Sequence, residues 1–323
     1  MSEPFVQVKN LKKYFETRKG PLHAVDDVSF DIEKGETLGL VGESGCGKST
    51  TGRAAIRLLE PSGGQVIIDG QDILLPSRRE VKALRSKMQM VFQAPYSSLN
   101  PRLCVADLIA EPLDVKNIGS SAERAKRVRE LSDIVGLSKS LENAYPHELD
   151  GGRRQRVGIA RALALNPEFI VLDEPVSALD VCIQAQVLNL LDTLQKEMGL
   201  TYLFISHDLS VVHHVSDRIA VMYLGRIVEL ADYKTIFANP LHAYTKALLS
   251  AITVPNPNLV HNRIILEGDV PSPINPPAGC RFAGRCYFDK IDACTCETPG
   301  LKEVGPNHFV ACHIVAREMA RTA

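Results

Sequence analysis

The sequence has little net charge and no long apolar run. Its 37 lysine and arginine residues nearly balance 38 aspartate and glutamate residues, without a basic block, so the charged surface expected of a nucleic-acid-binding protein is missing. No stretch reaches the ~18 to 20 uninterrupted apolar residues of a membrane-spanning helix, and the N-terminus lacks the apolar core of a signal peptide. We therefore expect a cytoplasmic protein that binds no nucleic acid and contacts a membrane only through a partner.

Internal repeats and low-complexity tracts are absent too, and the apolar fraction of 45% is ordinary for a soluble globular protein. Continuous apolar runs at Thr37–Val41 and Phe169–Leu172 indicate buried parallel strands, each preceding a helical pattern, the first of which predicts a helix at Lys48–Leu59. This alternation predicts an α/β fold with a parallel central sheet and a helical insertion at about residues 105–164. Prolines cluster after residue 250, so we expect a main domain at residues 1–250 and a C-terminal extension at residues 251–323.

A glycine-rich turn follows the first of these strands. Residues 42–49 (GESGCGKS) fit the pattern GxxxxGK followed by Ser or Thr at every position, between a strand and a helix. Glycines let backbone N–H groups surround a β-phosphate, Lys48 can reach the β and γ oxygens, and Ser49 can ligate Mg²⁺. A glycine turn that merely connects a strand to a helix would rarely match this pattern at every position. The predicted ATP-binding residues here are Gly42, Glu43, Ser44, Gly45, Cys46, Gly47, Lys48, Ser49 and Thr50.

A pair of carboxylates ends the strand at Phe169–Leu172. Asp173 is suited to the coordination shell of Mg²⁺, and Glu174 is suited to orient or deprotonate an attacking water. Many strands end in acidic residues by accident, so the assignment depends on the motifs that surround the pair.

The segment upstream of these carboxylates, residues 149–157 (LDGGRRQRV), resembles the LSGGQRQR signature of the ABC ATPases. Asp150 replaces the usual serine and Arg153 the usual glutamine, whereas Gly151 and Gly152 are retained. Four further elements stand in family order: Tyr14 as the adenine-stacking aromatic, Gln93 as the Q-loop glutamine, Ser177–Asp180 as the D-loop and Ser206–Asp208 as the segment of the switch histidine His207. Taken singly, they also fit a core aromatic, a loop glutamine and a strand-end histidine.

The resemblance implies a P-loop NTPase with an antiparallel β subdomain beside its parallel sheet. It implies Glu174, His207 and Gln93 as catalytic residues, with Mg²⁺ bound through Ser49, Gln93 and Asp173. In this family the signature of one subunit closes over ATP held by another, so one chain is half of an ATP-binding dimer. The residues that would serve the partner's site are Asp150, Gly151, Gly152, Arg153 and, in the D-loop, Asp180.

Two longer segments resemble the ATP-binding subunits of oligopeptide and dipeptide importers. They are residues 95–102 (PYSSLNPR) and residues 174–186 (EPVSALDVCIQAQ). This resemblance implies a peripheral subunit on the cytoplasmic face of the inner membrane. Its partners would be a second ATPase subunit, usually a paralogue, two transmembrane permease subunits and an extracytoplasmic peptide-binding protein.

Other cargoes and other ABC ATPases are the alternatives. Nickel, glutathione or an antimicrobial peptide would leave the same ATPase motifs unchanged. Chromosome-maintenance ATPases separate the phosphate loop from the signature by long coiled coils, but here Lys48 and Gly151 lie about 100 residues apart without sustained heptads. Ribosome-acting ABC factors normally carry two ATPase modules, and this chain has one.

Five of the eight cysteines fall in the C-terminal extension, with the spacing C-x5-C-x7-C-x-C-x15-C. Four thiolates that converge in a cytosolic protein suit a 4Fe–4S cluster or Zn²⁺. The family resemblance favours iron–sulfur, with Cys296 as the supernumerary thiol. The implied cluster ligands are Cys280, Cys286, Cys294 and Cys312. A zinc site completed by His313 and a set of unmetallated thiols remain open.

The substitutions in the signature allow two interpretations. Aspartate caps a helix N-terminus as well as serine does, so the helix after Asp150 should form normally. For catalysis, a carboxylate only accepts hydrogen bonds and brings like charge towards a γ-phosphate, unless Arg153 neutralises it. We expect an asymmetric heterodimer in which the partner's site hydrolyses less, and a compensated signature is the alternative.

Overall fold

The computed structural model describes residues 3–75, 80, 84–93, 95–252 and 263–322. The chain divides into two compact units, which are treated separately below. The first unit contains Met1–Ile32, Thr37–Leu74 and Ser206–Ala323, and the second contains Glu33–Glu36 and Leu75–Ile205.

Twelve strands occur in the described residues. They are β1 (Val6–Thr17), β2 (Gly20–Ile32), β3 (Thr37–Val41), β4 (Gly63–Ile68), β5 (Gln71–Asp72), β6 (Met88–Val91), β7 (Phe169–Asp173), β8 (Thr201–Ser206), β9 (Arg218–Tyr223), β10 (Arg226–Asp232), β11 (Lys302–Gly305) and β12 (His308–Val310).

The α-helices in the same part of the chain alternate with these strands. They are α1 (Lys48–Ala55), α2 (Pro95–Ser98), α3 (Val105–Lys116), α4 (Ser121–Ile134), α5 (Gly151–Leu163), α6 (Val181–Met198), α7 (Leu209–Val215), α8 (Tyr233–Ala238), α9 (Ala243–Ser250), α10 (Ala293–Cys296) and α11 (His313–Thr322). Among the described helices, none combines the length and the apolar character that a bilayer crossing requires.

The first unit contains an antiparallel sheet and part of a mixed sheet. The antiparallel sheet has the order β2-β1-β4-β5, and Val6, Val8 and Leu11 of β1 are buried. In the mixed sheet, β3 pairs in parallel with β9, and β10 and β12 continue it in antiparallel pairing. The predicted antiparallel sheet is therefore present.

The second unit contains three parallel strands and the helical insertion. β7 lies between β6 and β8 with parallel register on both sides, and all five residues of β7 are buried, as a two-sided strand requires. Helices α3, α4 and α5 occupy residues 105–163. Ser120 and Glu123 close a capping box at the start of α4. The predicted α/β class, parallel strands and helical insertion are confirmed.

Helix α1 is shorter than its sequence pattern indicates. The pattern continues to Leu59, but α1 ends at Ala55 because Arg57 adopts a positive φ of 51°. The N–H groups of Leu58 and Leu59 both donate to the Arg53 carbonyl oxygen, which closes the turn. Side-chain periodicity does not report where the backbone leaves the helical region.

The C-terminal extension contributes two strands, β11 and β12, to the sheet of the first unit. Glu229 of β10 pairs with Val310 of β12. The Glu229 carboxylate is fully buried and lies 2.8 Å from His308 Nε2, and it accepts hydrogen bonds from the N–H groups of Leu241 and His242. Burial alone would raise the pKa of Glu229, but these hydrogen bonds lower it. The boundary at residue 250 stays a prediction, and residues 253–262 lie outside the described residues.

Candidate functional site

The predicted phosphate loop connects β3 to α1 in the first unit. Gly42 has φ 154° and Gly47 has φ 109°, and a Cβ at either position would lie 2.1 Å from a backbone carbonyl oxygen, of Met222 or Ala24. Rigid backbone cannot yield to such a contact, so both positions require glycine. At these two positions, both the φ angle and the lack of room for a Cβ atom thus favour glycine.

Lys48 is the first residue of α1 and is 5% exposed. Its Nζ donates to the carbonyl oxygens of Gly42 at 2.7 Å and Glu43 at 3.0 Å, so the cation lies across the loop. Ser44 and Gly45 at the tip of the loop are exposed. A buried cation, an accessible loop and a helix N-terminus form a cradle that fits the phosphates of ATP.

The remaining loop residues occupy distinct environments. Cys46 is buried, and this burial raises the pKa of its thiol. Ser49 and Thr50 are half-buried in the first turn of α1. Ser49 thus directly follows the buried lysine, as its predicted role as a Mg²⁺ ligand requires, and that role stays a prediction.

Tyr14 lies on β1 and is half-buried. Its hydroxyl donates to Asp26 Oδ1 at 2.5 Å, and its ring centroid lies 4.2 Å from that of His23. Burial, together with the hydrogen bond to Asp26, raises the pKa of Tyr14 to about 12. Tyr14 is therefore uncharged and its hydroxyl is held in place, as expected of a side chain whose ring stacks on adenine.

His207 follows β8 directly and is exposed. The neighbouring Asp208 caps α7 by accepting a hydrogen bond from the Ser210 N–H at 2.8 Å. The cap fixes the backbone on one side of His207 and the strand fixes it on the other. Its predicted role as the switch histidine stays a prediction.

Gln93 and Glu174 meet in the second unit. Asp173 ends β7 and is fully buried, whereas Glu174 is half-buried and has φ 48°. The Gln93 side-chain amide donates to Glu174 Oε2 at 2.7 Å, and the Glu174 N–H donates to the Ile205 carbonyl oxygen. A left-handed conformation at a non-glycine residue is costly and concentrates at functional sites. The structure thus joins two of the three predicted catalytic residues.

The signature segment begins α5. Asp150 Oδ1 accepts a hydrogen bond from the Arg153 N–H at 2.8 Å, so aspartate caps the helix as expected. The Arg153 Nε also lies 3.3 Å from Asp150 Oδ2, and both side chains are more than half exposed. A Cβ on Gly152 would lie 2.5 Å from Ile183 Cγ2. The geometry therefore supports partial neutralisation of Asp150 within the chain, and its catalytic effect stays a prediction.

The D-loop is held by the side chain of Gln184. Its Nε2 donates to the carbonyl oxygens of Val176 at 3.0 Å and Leu179 at 2.9 Å. Asp180 is exposed and directly precedes α6. The fixed loop presents Asp180 to solvent, where a partner subunit could reach it.

Cys280, Cys286, Cys294 and Cys312 all belong to the first unit, where the Cys280 N–H donates to the Cys294 carbonyl oxygen. Burial, with added charge effects from the other three thiols, raises the pKa of Cys280 to about 11. Burial likewise raises the pKa values of Cys286 and Cys312, and each is influenced by Cys294. Within the described residues, however, no three His, Cys, Asp or Glu side chains are arranged to hold a metal ion.

Two further residues of the cysteine segment (Cys280–Cys312 and the adjacent His313) bear on this prediction: Cys296, predicted as the supernumerary thiol, and His313, the alternative zinc ligand. Cys296 is exposed and its Sγ donates to the Asp292 carbonyl oxygen, so it lies apart from the other thiols in its contacts. His313 Nε2 donates to the Glu297 carbonyl oxygen at 2.9 Å. This contact leaves Nδ1 as the nitrogen that could bind a metal, so the zinc alternative stays open.

Some contacts of the candidate site have no sequence signal. Tyr244 Oη accepts a hydrogen bond from the Glu43 N–H at 2.9 Å, 201 residues away in the chain. Asp26, which holds Tyr14, belongs to no motif. Only the fold reveals these partners, because neither has a characteristic spacing from the residue that it supports.

Comparison with known proteins identifies the family. Residues 25–177 match the ABC transporter family, and residues 228–294 match the oligopeptide/dipeptide transporter C-terminal region. The chain is 52% identical over 322 residues to the oligopeptide transport ATP-binding protein AppF of Bacillus subtilis, covering 97% of this chain and 98% of AppF. The chain belongs to the ABC transporter ATP-binding family, in its oligopeptide/dipeptide branch.

Further ABC relatives agree with this placement. A putative peptide import ATP-binding protein of Brucella ovis is 53% identical over 309 residues, covering 96% of this chain and 97% of the relative. The solved ABC cassette MJ0796, a dimer bound to ADP and Pi after hydrolysis, aligns with a TM-score of 0.65 and 33% identity over 71% of this chain and 98% of that chain. The predicted ABC ATPase fold and ATPase class are confirmed. The match to the C-terminal region ends at Cys294, so it does not include Cys312.

Proposed function

We propose that this chain hydrolyses ATP to power the import of dipeptides or oligopeptides through an ABC transporter. The observation that carries the proposal is the identity of more than half over nearly the whole chain to proteins named for peptide transport. The matched C-terminal region of oligopeptide and dipeptide transporters supports the same cargo. These relatives favour transport over the chromosomal and ribosomal alternatives.

In the proposed site, Lys48 and the phosphate-loop amides bind the β- and γ-phosphates, and Tyr14 supports adenine. Ser49, Gln93 and Asp173 would hold Mg²⁺, which would offset the charge of the phosphates. Glu174 accepts the proton of the attacking water, and His207 contacts the γ-phosphate.

The test of this assignment is Glu174→Gln. The amide keeps the shape of the side chain but cannot accept a proton, so ATP binding should persist while turnover falls by about 10² to 10⁴. Turnover and binding of a fluorescent ATP analogue are measured on the assembled transporter. The exposed Glu197 of α6 supplies the matched control, Glu197→Gln. Turnover within twofold of the unaltered protein would rule out Glu174 as the base.

The proposed assembly is a peripheral complex on the cytoplasmic face of the inner membrane. One phosphate loop and one signature per chain require a second ATPase subunit, which we infer to be a paralogue because Asp150 and Arg153 depart from the usual signature. Two permease subunits and an extracytoplasmic peptide-binding protein complete it. Affinity purification from the native membrane tests the composition: recovery of two identical ATPase chains would contradict the heterodimer.

Cargo is tested with the reconstituted transporter in vesicles. Labelled di- and oligopeptides should accumulate in an ATP-dependent manner and should stimulate ATP hydrolysis. Uptake of nickel or glutathione in place of peptides would assign one of the alternative cargoes and leave the ATPase role intact.

For the cysteine segment, we infer a 4Fe–4S cluster held by Cys280, Cys286, Cys294 and Cys312. The support is chemical: four cysteines close in sequence supply soft thiolate donors, and the exposed Cys296 has another contact. When bound, such a cluster would cross-link a proline-rich segment that is too small to hold a core of its own.

Anaerobic purification with an iron assay and an optical spectrum tests the cluster. About four iron atoms per chain are expected, Cys286→Ser should abolish them, and Cys296→Ser should retain them. Iron-free, zinc-replete protein would overturn the iron–sulfur assignment, and protein without either metal would support simple thiols.

A further inference from the structure

Two arginines of the cysteine segment are buried against carboxylates in the nucleotide-binding part of the first unit. Arg281 follows Cys280 and Arg285 precedes Cys286, and their side chains are 6% and 11% exposed. A guanidinium at such a position is stable only with a partner for its charge. The partners, Asp26 and Glu43, are 255 and 242 residues away in the sequence.

Arg285 contacts the phosphate loop directly. Its Nη1 lies 3.1 Å from Glu43 Oε2 and 3.3 Å from Oε1. The backbone of Glu43 is fixed at the same time, because its N–H donates to Tyr244 Oη and its carbonyl oxygen accepts from Lys48 Nζ at 3.0 Å. Arg285 therefore holds the residue whose carbonyl oxygen places the phosphate-binding lysine.

Arg281 acts on the other end of the nucleotide site. Its guanidinium donates to the carboxylate of Asp26 and to the carbonyl oxygen of Leu224. Asp26 also accepts from the Tyr14 hydroxyl at 2.5 Å and from Arg226 at 3.1 Å. Because Asp26 is only 7% exposed, removing Arg281 would take away one of its two arginine partners and would shift the acceptor that orients Tyr14.

We propose that Arg281 and Arg285 are positioning residues for ATP binding. Arg285 acts on Lys48 through Glu43, and Arg281 acts on Tyr14 through Asp26. The inference rests on the proposed nucleotide site, since it assigns phosphate binding to Lys48 and adenine support to Tyr14. It makes the cysteine segment part of the ATP-binding machinery, because both arginines stand directly beside cysteines of the set.

The first test is Arg285→Met, which keeps the length of the side chain and removes its charge. We expect KM for ATP and Kd for a fluorescent ATP analogue to rise about tenfold, the scale of one lost hydrogen bond to a charged group, while kcat changes less than twofold. Arg285→Lys should recover part of the affinity. Arg317→Met, at an exposed arginine of α11, is the matched control. Unchanged KM and Kd in Arg285→Met would overturn the role.

A double-mutant cycle separates positioning from general destabilisation. Glu43→Gln and Arg285→Met should each weaken ATP binding, and the combined variant should be no weaker than the more impaired single variant. Independent, additive losses of affinity would overturn the coupling between these residues. Thermal melts report folding separately, so a fall in Tm with unchanged Kd identifies a purely structural role.

Arg281→Met is tested with two probes, ATP and inorganic tripolyphosphate, in competition with the fluorescent analogue. We expect this variant to bind ATP less tightly and tripolyphosphate normally, whereas Arg285→Met should weaken both. Equal effects of Arg281→Met on both probes would overturn its link to Tyr14. The Lys48→Ala variant is measured in the same assay. If Lys48→Ala still binds ATP, the proposed nucleotide site itself is contradicted. If Lys48→Ala loses ATP binding but both arginine variants bind ATP normally, only the positioning roles are contradicted.

Discussion

The phosphate loop and the signature segment differ in how strongly the surrounding structure restricts their residue types. In the loop, Lys48 is 5% exposed, and Gly42 and Gly47 are surrounded by backbone carbonyl oxygens. In the signature, the side chains of Asp150 and Arg153 are 59% and 53% exposed. Backbone contacts require glycine at two positions of the loop, whereas the exposed side chains of the signature can vary in type as long as the helix is capped.

Lys48→Ala has the largest expected effect, because it removes the buried cation of the phosphate loop, which is the more constrained of the two segments. ATP binding at this chain's own site should be lost, since water cannot replace a charge held against the β- and γ-phosphates. Equilibrium binding of a fluorescent ATP analogue measures the loss. Near-normal affinity would contradict the assignment of the loop.

A matched pair of glycine substitutions measures the difference between the regions. Gly47→Ala places a Cβ 2.1 Å from the Ala24 carbonyl oxygen at a φ of 109°, whereas Gly152→Ala meets the side chain of Ile183. We expect Gly47→Ala to destabilise the protein by about 2 kcal/mol or more and Gly152→Ala by about 1 kcal/mol, since backbone cannot move aside and a side chain can. Chemical denaturation gives both values. Equal losses would show that the two glycines are equally constrained.

The smallest effect is expected where the sequence departs from the family pattern. Asp150→Ser combined with Arg153→Gln restores the usual signature, and we expect a gain of several-fold in hydrolysis at the partner's site, because a hydroxyl can donate to a phosphate oxygen and a carboxylate cannot. Site-specific turnover in the assembled transporter is the measurement. Unchanged turnover would mean that Arg153 already compensates Asp150.

Local features of the site could be predicted from the sequence. The glycines, Lys48 and the capping role of Asp150 depend on neighbours within a few residues, so short patterns indicate them. The family and the α/β fold are confirmed by relatives and by parallel strands such as β6, β7 and β8. The catalytic and Mg²⁺-binding roles stay predictions, although the contact between Gln93 and Glu174 gives them a geometric basis.

Long-range contacts could not be predicted. Arg281 and Asp26 are 255 residues apart, and no periodicity or spacing couples two positions at that distance. The end of α1 was missed for a different reason: it depends on the φ of Arg57, which apolar spacing does not encode. For the four cysteines, the spacing predicts a metal cluster, and that cluster stays a prediction.

The strand pairing between β10 and β12 has a practical consequence for engineering the chain. A shortened protein that stops before His308 would retain Glu229 but lose the imidazole that faces this fully buried carboxylate. It would also leave the Leu230 edge of β10 open to pairing with another molecule. Such a fragment should expose a sheet edge beside a buried carboxylate that has lost one of its partners and should aggregate on expression. Functional reconstitution, tagging or fusion is therefore best carried out with the C-terminal strands retained.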